Sequence, residues 1–158
     1  MTHFKVLQFP RDVLHAARSD RVDPWGEEVT YLPGVDRPAP CRHCMRQTRA
    51  GTDLILMRYS PFSARSRSPY AERGPIFLCG EDCIAHSPAD VLPEIVASRQ
   101  VNIRAYDARE FMLYAHSQLA DGRDAEGVVA RLLDEPQVRQ VHIRTALHGC
   151  FLCAVERA

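Results

Sequence analysis

The fold is decided by a stretch that opens with Cys41-Arg42-His43-Cys44 and closes with Cys79-Gly80-Glu81-Asp82-Cys83. Between these two cysteine pairs, residues 53–59 and 75–79 are rich in apolar side chains and predict two strands. The segment that separates the strands contains several serines and prolines, which favour a loop. The sequence therefore predicts a wide-tipped β-hairpin over 41–83, whose ends bring the two cysteine pairs together.

The two cysteine pairs have the spacing of a zinc site. Four thiolates on two short loops suit the tetrahedral coordination that zinc prefers, and structural zinc is coupled to folding. We predict that the four cysteines of these loops bind zinc and help fold the proline-rich segment before them. These predicted ligands are Cys41, Cys44, Cys79 and Cys83. His43 and His86 are spare donors if one cysteine is not a ligand.

Two other interpretations of the cysteines compete with zinc binding. Free cysteine packs like a small hydrophobe, and this explains Cys79 and Cys153, which apolar residues flank, as well as metal binding does. The CxxC pair at 41–44 is alternatively a redox dithiol whose inserted arginine and histidine lower a thiol pKa. In thioredoxin-like proteins such a pair follows a strand, whereas here prolines precede it, and this context disfavours the redox interpretation.

On both sides of this segment, the chain contains short strands and short helices in no regular order. Before the cysteines we predict a strand, a helical turn and a brief strand within a proline-rich approach, at 3–9, 11–17 and 29–32. After them we predict a short helix at 91–97, a longer helix at 125–133, and strands at 101–106, 110–116 (with helix as the alternative), 138–144 and 150–155.

These elements define an α+β fold without regular βαβ alternation. We predict a mainly antiparallel sheet of about six or seven strands with two or three short helices. At 158 residues, a single domain over 1–158 is expected. It comprises a proline-rich segment at 24–40, the cysteine-bracketed hairpin at 41–83 and a C-terminal part at 100–158.

Composition and hydropathy indicate which partners and which cellular compartment to expect. Twenty basic and twenty acidic residues cancel, so no overall field favours nucleic acid. No apolar run is long enough to span a membrane, and the first residues do not form a signal peptide. We therefore expect a cytoplasmic protein with no membrane or nucleic-acid partner, in which the six cysteines are reduced thiols or metal ligands.

Arginines crowd the segment between the cysteine pairs. Guanidinium groups bind carboxylate or phosphate in a bidentate manner, so a small anionic ligand is a candidate partner. The candidate ligand-binding residues are Arg42, Arg58, Tyr70 and Arg73. A solvated arginine face is the alternative interpretation, and it is the more common one.

Glu72 is the candidate catalytic residue. It would act as a general base if the predicted zinc kept an open coordination position. The alternative is a surface glutamate paired with its neighbour Arg73.

Several blocks of the sequence resemble a known family. They are Pro40-Cys41-Arg42-His43-Cys44, Ser60-Pro61-Phe62, Pro69-Tyr70-Ala71-Glu72-x-Gly74-Pro75-Ile76-Phe77, Arg104-Ala105-Tyr106-Asp107-Ala108 and Gly149-Cys150-Phe151. Together they are similar to the bacterial domain-of-unknown-function family numbered 1203. The resemblance covers nearly the whole chain and implies a bacterial source without an assigned activity.

The sequence supports two classes of function. The first is a small binding or accessory domain with a structural zinc site formed by the four cysteines. The second is an enzyme, either a CxxC thiol oxidoreductase or a metal-assisted hydrolase that uses Glu72 as its base.

Overall fold

The strands form two antiparallel sheets in the computed structural model, which describes residues 3–158. One sheet has five strands in the order β1-β8-β7-β5-β6, and the other has three in the order β2-β3-β4. The strands are β1 Phe4–Val6, β2 Thr30–Val35, β3 Thr52–Tyr59, β4 Gly74–Cys79, β5 Gln100–Tyr106, β6 Gln118–Asp121, β7 Gln140–Thr145 and β8 Phe151–Arg157.

The helices are short and connect the strands. They are α1 Arg11–His15, α2 Glu94–Ala97 and α3 Ala125–Asp134. A π-helical turn, Ala16–Asp20, continues α1, and two 3₁₀ turns occupy Tyr114–His116 and Gly122–Asp124. In the part of the chain that the structure describes, no helix is long and apolar enough to cross a membrane.

The first hydrophobic core lies between α3 and one face of the five-stranded sheet. Val129 and Leu133 are fully buried on the inner face of α3, as the predicted amphipathic helix requires. Ile103 and Ile143 are Cα partners across β5 and β7 and are also fully buried in this core. Burying each such side chain contributes about 1.5–3 kcal/mol, so this layer supplies much of the stability.

The second core joins the two sheets. Ile55 of β3 and Leu78 of β4 pack with Phe151 and Ala154 of β8 in one buried cluster. The same cluster contains residues of α1 and its π-helical turn, and two of the predicted ligands, Cys41 and Cys44. The cysteine loop is therefore anchored in the core between the sheets.

The predicted α+β class is confirmed, with two corrections. The strands divide between two sheets, because the β3–β4 hairpin pairs with β2 and packs face to face on β8. The strand predicted at 110–116 is wrong. Glu110 has a left-handed φ of 64°, and the Asp107 side chain accepts hydrogen bonds from the amides of Arg109 and Phe111. This turn interrupts the alternation, and the strand, β6, begins only at Gln118.

Candidate metal centre

The CxxC loop is a closed turn attached to the end of β4. Pro40 and Gln47 form an antiparallel bridge across its base, and Cys41 forms a parallel bridge with Phe77 of β4. The Arg42 amide donates to the Phe77 carbonyl at 3.1 Å. These backbone bonds place both thiols of the loop beside the last residues of β4.

The second cysteine pair depends on a close backbone approach at Gly80. Cys79 is the last residue of β4, and the Gly80 amide donates to the Asp53 carbonyl at 2.7 Å. A Cβ at Gly80 would lie 3.0 Å from Cε2 of Tyr31 and 3.1 Å from that carbonyl oxygen. Glycine therefore lets the chain pass β3 closely while the following loop carries Cys83 back towards the CxxC turn.

The four sulfur atoms form one compact cluster. The Sγ atoms of Cys41, Cys44, Cys79 and Cys83 all lie within 4.8 Å of one another. The Sγ atoms of Cys41 and Cys83 are 3.9 Å apart. A tetrahedral zinc ion with Zn–S bonds of ~2.3 Å requires sulfur–sulfur edges of about 3.8 Å. The predicted proximity is confirmed, and the donor set fits a metal ion.

Hydrogen bonds among the sulfurs lower the pKa of two of the four thiols and raise the pKa of the other two. The Cys44 thiol lowers the pKa of Cys41 to about 6, and Cys41 in turn lowers the pKa of Cys83. The pKa values of Cys44 and Cys79 are raised, chiefly by their hydrogen bonds with Cys41. Four negative sulfurs this close together would repel one another, and a divalent cation in the cluster would favour the thiolate form of all four.

Arg18 and His43 contact the cluster from outside it. Nη2 of Arg18 donates to Sγ of Cys83 at 3.3 Å, and its Nε donates to the Cys79 carbonyl at 3.2 Å. Nδ1 of His43 lies 3.2 Å from Sγ of Cys83. Such groups offset the negative charge that four thiolates keep after binding a divalent ion. No spacing in the sequence indicates Arg18, which is 65 positions away from Cys83.

The two remaining cysteines and His86 lie outside the cluster. Cys153 is 1% exposed within the first core, where burial raises its pKa to about 12. Packing is therefore the correct interpretation of Cys153. Cys150 precedes β8, and its thiol faces the His148 carbonyl at 4.0 Å. His86 uses its Nε2 in a 2.9 Å contact with the Val91 carbonyl.

The predicted ligand-binding residue Arg42 is buried inside the CxxC turn. Its side chain donates from Nε to the Phe151 carbonyl at 2.7 Å and from Nη1 to the Pro40 carbonyl. Burial lowers its pKa to about 10. These hydrogen bonds tie the cysteine turn to β8, which is a structural use of the guanidinium group.

The other three candidate ligand-binding residues each contact a different partner. Arg58 forms ion pairs with Asp23 at 3.0 Å and with Glu27 at 3.7 Å. Arg73 lies over the ring of Trp25, 4.2 Å from its centroid. The Tyr70 hydroxyl is 3.0 Å from that of Tyr114. A common anion site for these residues stays a prediction.

Glu72 pairs with the five-stranded sheet. Its Oε1 accepts from Nη1 of Arg104 at 2.7 Å and lies 3.4 Å from Nη2 of Arg144. The expected pairing with Arg73 is wrong, because the loop after β3 folds over the polar face of β5 and β7, where these two arginines project. A general-base role for Glu72 stays a prediction.

Two antiparallel sheets with a four-cysteine cluster in the core between them define an α+β protein with a potential metal centre. The family model described as Protein of unknown function (DUF1203) matches residues 38–157, and the chain therefore belongs to that family. This confirms the resemblance drawn from the sequence blocks. No curated protein and no solved structure matches the chain.

Proposed function

We propose that this chain is a small bacterial binding or accessory domain whose four clustered cysteines hold a structural zinc ion. The observation that carries the proposal is the mutual approach of four Sγ atoms within 4.8 Å. Zinc fits best because four thiolates form its usual closed structural site. We place the protein in the cytoplasm, where reduced thiols are available to a metal.

The ion would stabilise the segments that meet at the cluster. The CxxC turn, the end of β4 and the loop at 80–83 contribute the ligands, and the π-helical turn contributes Arg18. The ligands come from segments far apart in the chain, and the site that they form exists only in the folded protein, so the free energy of binding the ion adds to the free energy of folding.

The thiol oxidoreductase alternative is less well supported by the exposure of the thiols. The lowered pKa of Cys41 is suited to redox chemistry, but Cys41 is fully buried and Cys44 is 9% exposed. A catalytic dithiol must reach the disulfide of its substrate, and reactive cysteines are accordingly at least partly exposed. In addition, an ion bound by all four sulfurs would occupy both thiols of the CxxC pair as ligands, and neither would be free for thiol exchange.

The hydrolase alternative requires an open coordination position. Four cysteine ligands close the tetrahedral shell, whereas catalytic zinc keeps a position for water. The proposed base, Glu72, has one carboxylate oxygen engaged by Arg104 and Arg144. Both features favour the structural role of the metal.

Metal content and stability test the proposal together. We expect about one zinc per chain by elemental analysis. Removing it should cost about 4 kcal/mol of unfolding free energy at a free zinc concentration a thousandfold above Kd. The substitution Cys41→Ser should abolish stoichiometric zinc, because it removes a buried ligand.

The matched control is Cys150→Ser, which changes a thiol outside the cluster and should leave both the zinc content and its stabilising effect intact. A wild-type protein that stays metal-free in zinc-supplemented medium, with an unchanged melting temperature, would refute the structural role.

A further inference from the structure

A cavity of about 520 Å³ lies apart from the cysteines, between α1, the turn at 23–25 and the chain that follows β3. Asp12, Val13 and Ala16 form one wall, and Tyr59 to Ala64 form the opposite one. The Trp25 indole closes a side by donating from Nε1 to the Ala64 carbonyl at 3.3 Å. This volume is that of a small-molecule site.

One hydroxyl group of the cavity lining has no hydrogen-bond partner within residues 3–158. The Ser60 residue is 5% exposed, and its Oγ is buried without a partner. Buried polar groups are almost always hydrogen-bonded, so an unpaired hydroxyl beside a cavity indicates an occupant that satisfies it.

The charge of the lining is negative and incompletely balanced. Asp12 and Asp23 are its charged residues. Asp23 is satisfied, since it pairs with Arg58 at 3.0 Å and accepts from the amides of Trp25 and Glu27. Asp12 forms no ion pair within residues 3–158. Its carboxylate lies close enough to Tyr59 to add to the effect of burial, and together they raise the pKa of that phenol to about 12.

We propose that this cavity binds a small organic cation, an ammonium group carried on an apolar or aromatic body. The Asp12 carboxylate provides the counter-charge, and the rings of Tyr59 and Phe62 in the lining attract a cation through their quadrupoles. The Ser60 hydroxyl accepts an ammonium N–H. The apolar wall of Val13, Ala16 and the cavity prolines receives the body of the ligand.

The cavity and the cysteine cluster share one helical segment. Asp12, Val13 and Ala16 line the cavity, and two residues further on Arg18 reaches Cys83. This inference rests on the proposed binding role of the domain and names its ligand class, but it does not depend on zinc. A protein that holds zinc and fails to bind a cation therefore refutes the inference alone.

Trp25 is the single tryptophan of the chain, so its fluorescence reports on the cavity directly. The probes are phenethylammonium, phenethyl alcohol and phenylacetate, which share a shape and differ in charge. We expect the cation to bind about tenfold more tightly than the neutral alcohol, from one carboxylate contact and one cation–π contact. Phenylacetate should bind most weakly, and the preference for the cation should shrink as salt is added.

Two substitutions of an exposed residue separate the charge from the fold. Asp12→Asn should remove the preference of the cavity for the cation, and Asp12→Lys should reverse it in favour of phenylacetate. The matched control is Asp20→Asn, an exposed acid on the same helical segment outside the lining. Equal binding of the three probes, no change of Trp25 fluorescence into the millimolar range, or an unchanged preference in Asp12→Asn would each overturn the proposal.

Discussion

Replacing Arg18 with methionine should weaken the metal centre without removing a ligand. Methionine keeps the unbranched apolar stem but is shorter and cannot donate a hydrogen bond. Two donations are lost, to the Cys83 sulfur at 3.3 Å and to the Cys79 carbonyl at 3.2 Å. The third contact, with Asp82 at 3.3 Å, involves a fully exposed carboxylate and contributes little.

The magnitude follows from the burial of the guanidinium group. The Arg18 side chain is 15% exposed, and hydrogen bonds that involve a charged group contribute about 1.5–3 kcal/mol. Since water can reach the Cys79 carbonyl when Arg18 is shortened, we expect a total loss of about 2 kcal/mol in the zinc-bound protein. This equals a decrease in melting temperature of about 4–8 °C for a domain of this size. The affinity for zinc should fall about 10–100-fold, as for other groups that orient metal ligands.

Competition with a chromophoric chelator measures the zinc affinity, and calorimetry measures the melting temperature. Arg11→Met is the matched control, since Arg11 is exposed in α1 and its side chain forms no hydrogen bond or ion pair within residues 3–158. If Arg18→Met bound zinc as tightly as the wild type, or if both variants lost the same affinity, Arg18 would not compensate the charge of the thiolates.

Two further predictions concern stability. Burial holds the pKa of His142 well below its usual range, so below about pH 6.5 the unfolded chain binds a proton that the native state excludes. As the pH is lowered below that value, His142 should therefore reduce the unfolding free energy by about 1.4 kcal/mol per pH unit. Urea titrations of the wild type and two variants between about pH 7 and 5 measure this slope. His142→Phe should lose it, and the exposed control His148→Phe should keep it. Equal slopes in the wild type and both variants would contradict this prediction. Gly122→Ala places a Cβ 1.9 Å from the Val96 carbonyl oxygen and should cost at least about 3 kcal/mol in urea unfolding. Gly127→Ala meets no atom within 4 Å on the exposed face of α3 and should stabilise by about 1 kcal/mol, and a similar result for both glycines would be inconsistent with this packing.

The four-cysteine cluster is the chemical feature around which the two loops and the β3–β4 hairpin are arranged. Its ligands come from two short loops that the β3–β4 hairpin brings together, and Cys41 and Cys44 are buried in the core between the sheets. The guanidinium group of Arg42 donates hydrogen bonds to the carbonyls of Pro40 and Phe151. Arg42, which lies between the two cysteines of the CxxC pair, therefore holds the turn in the core. This arrangement suits a structural ion better than an exposed redox pair.

Local periodicity was sufficient to predict most regular elements. Strands β5 and β7 and helix α3 alternate apolar and polar side chains with periods of 2 and 3.6 residues, and β3 contains a continuous apolar run; both signals depend only on neighbouring positions. The exception, at 110–116, shows the limit of that signal. The Asp107 side chain accepts hydrogen bonds from two nearby backbone amides and turns the chain there. Such local side-chain-to-backbone bonds give the backbone an alternative to strand pairing.

The α+β class, the hairpin and the set of cysteines that meet at its base could all be predicted from the sequence, because each follows from spacing along a short segment. The division of the strands into two sheets, the contact of Arg18 with Cys83 and the pairing of Glu72 with Arg104 and Arg144 depend on tertiary packing. The cavity between α1 and the loop after β3 depends on it as well. These contacts join residues that are tens of positions apart, so they arise from how buried faces pack together and leave no periodic pattern in the chain.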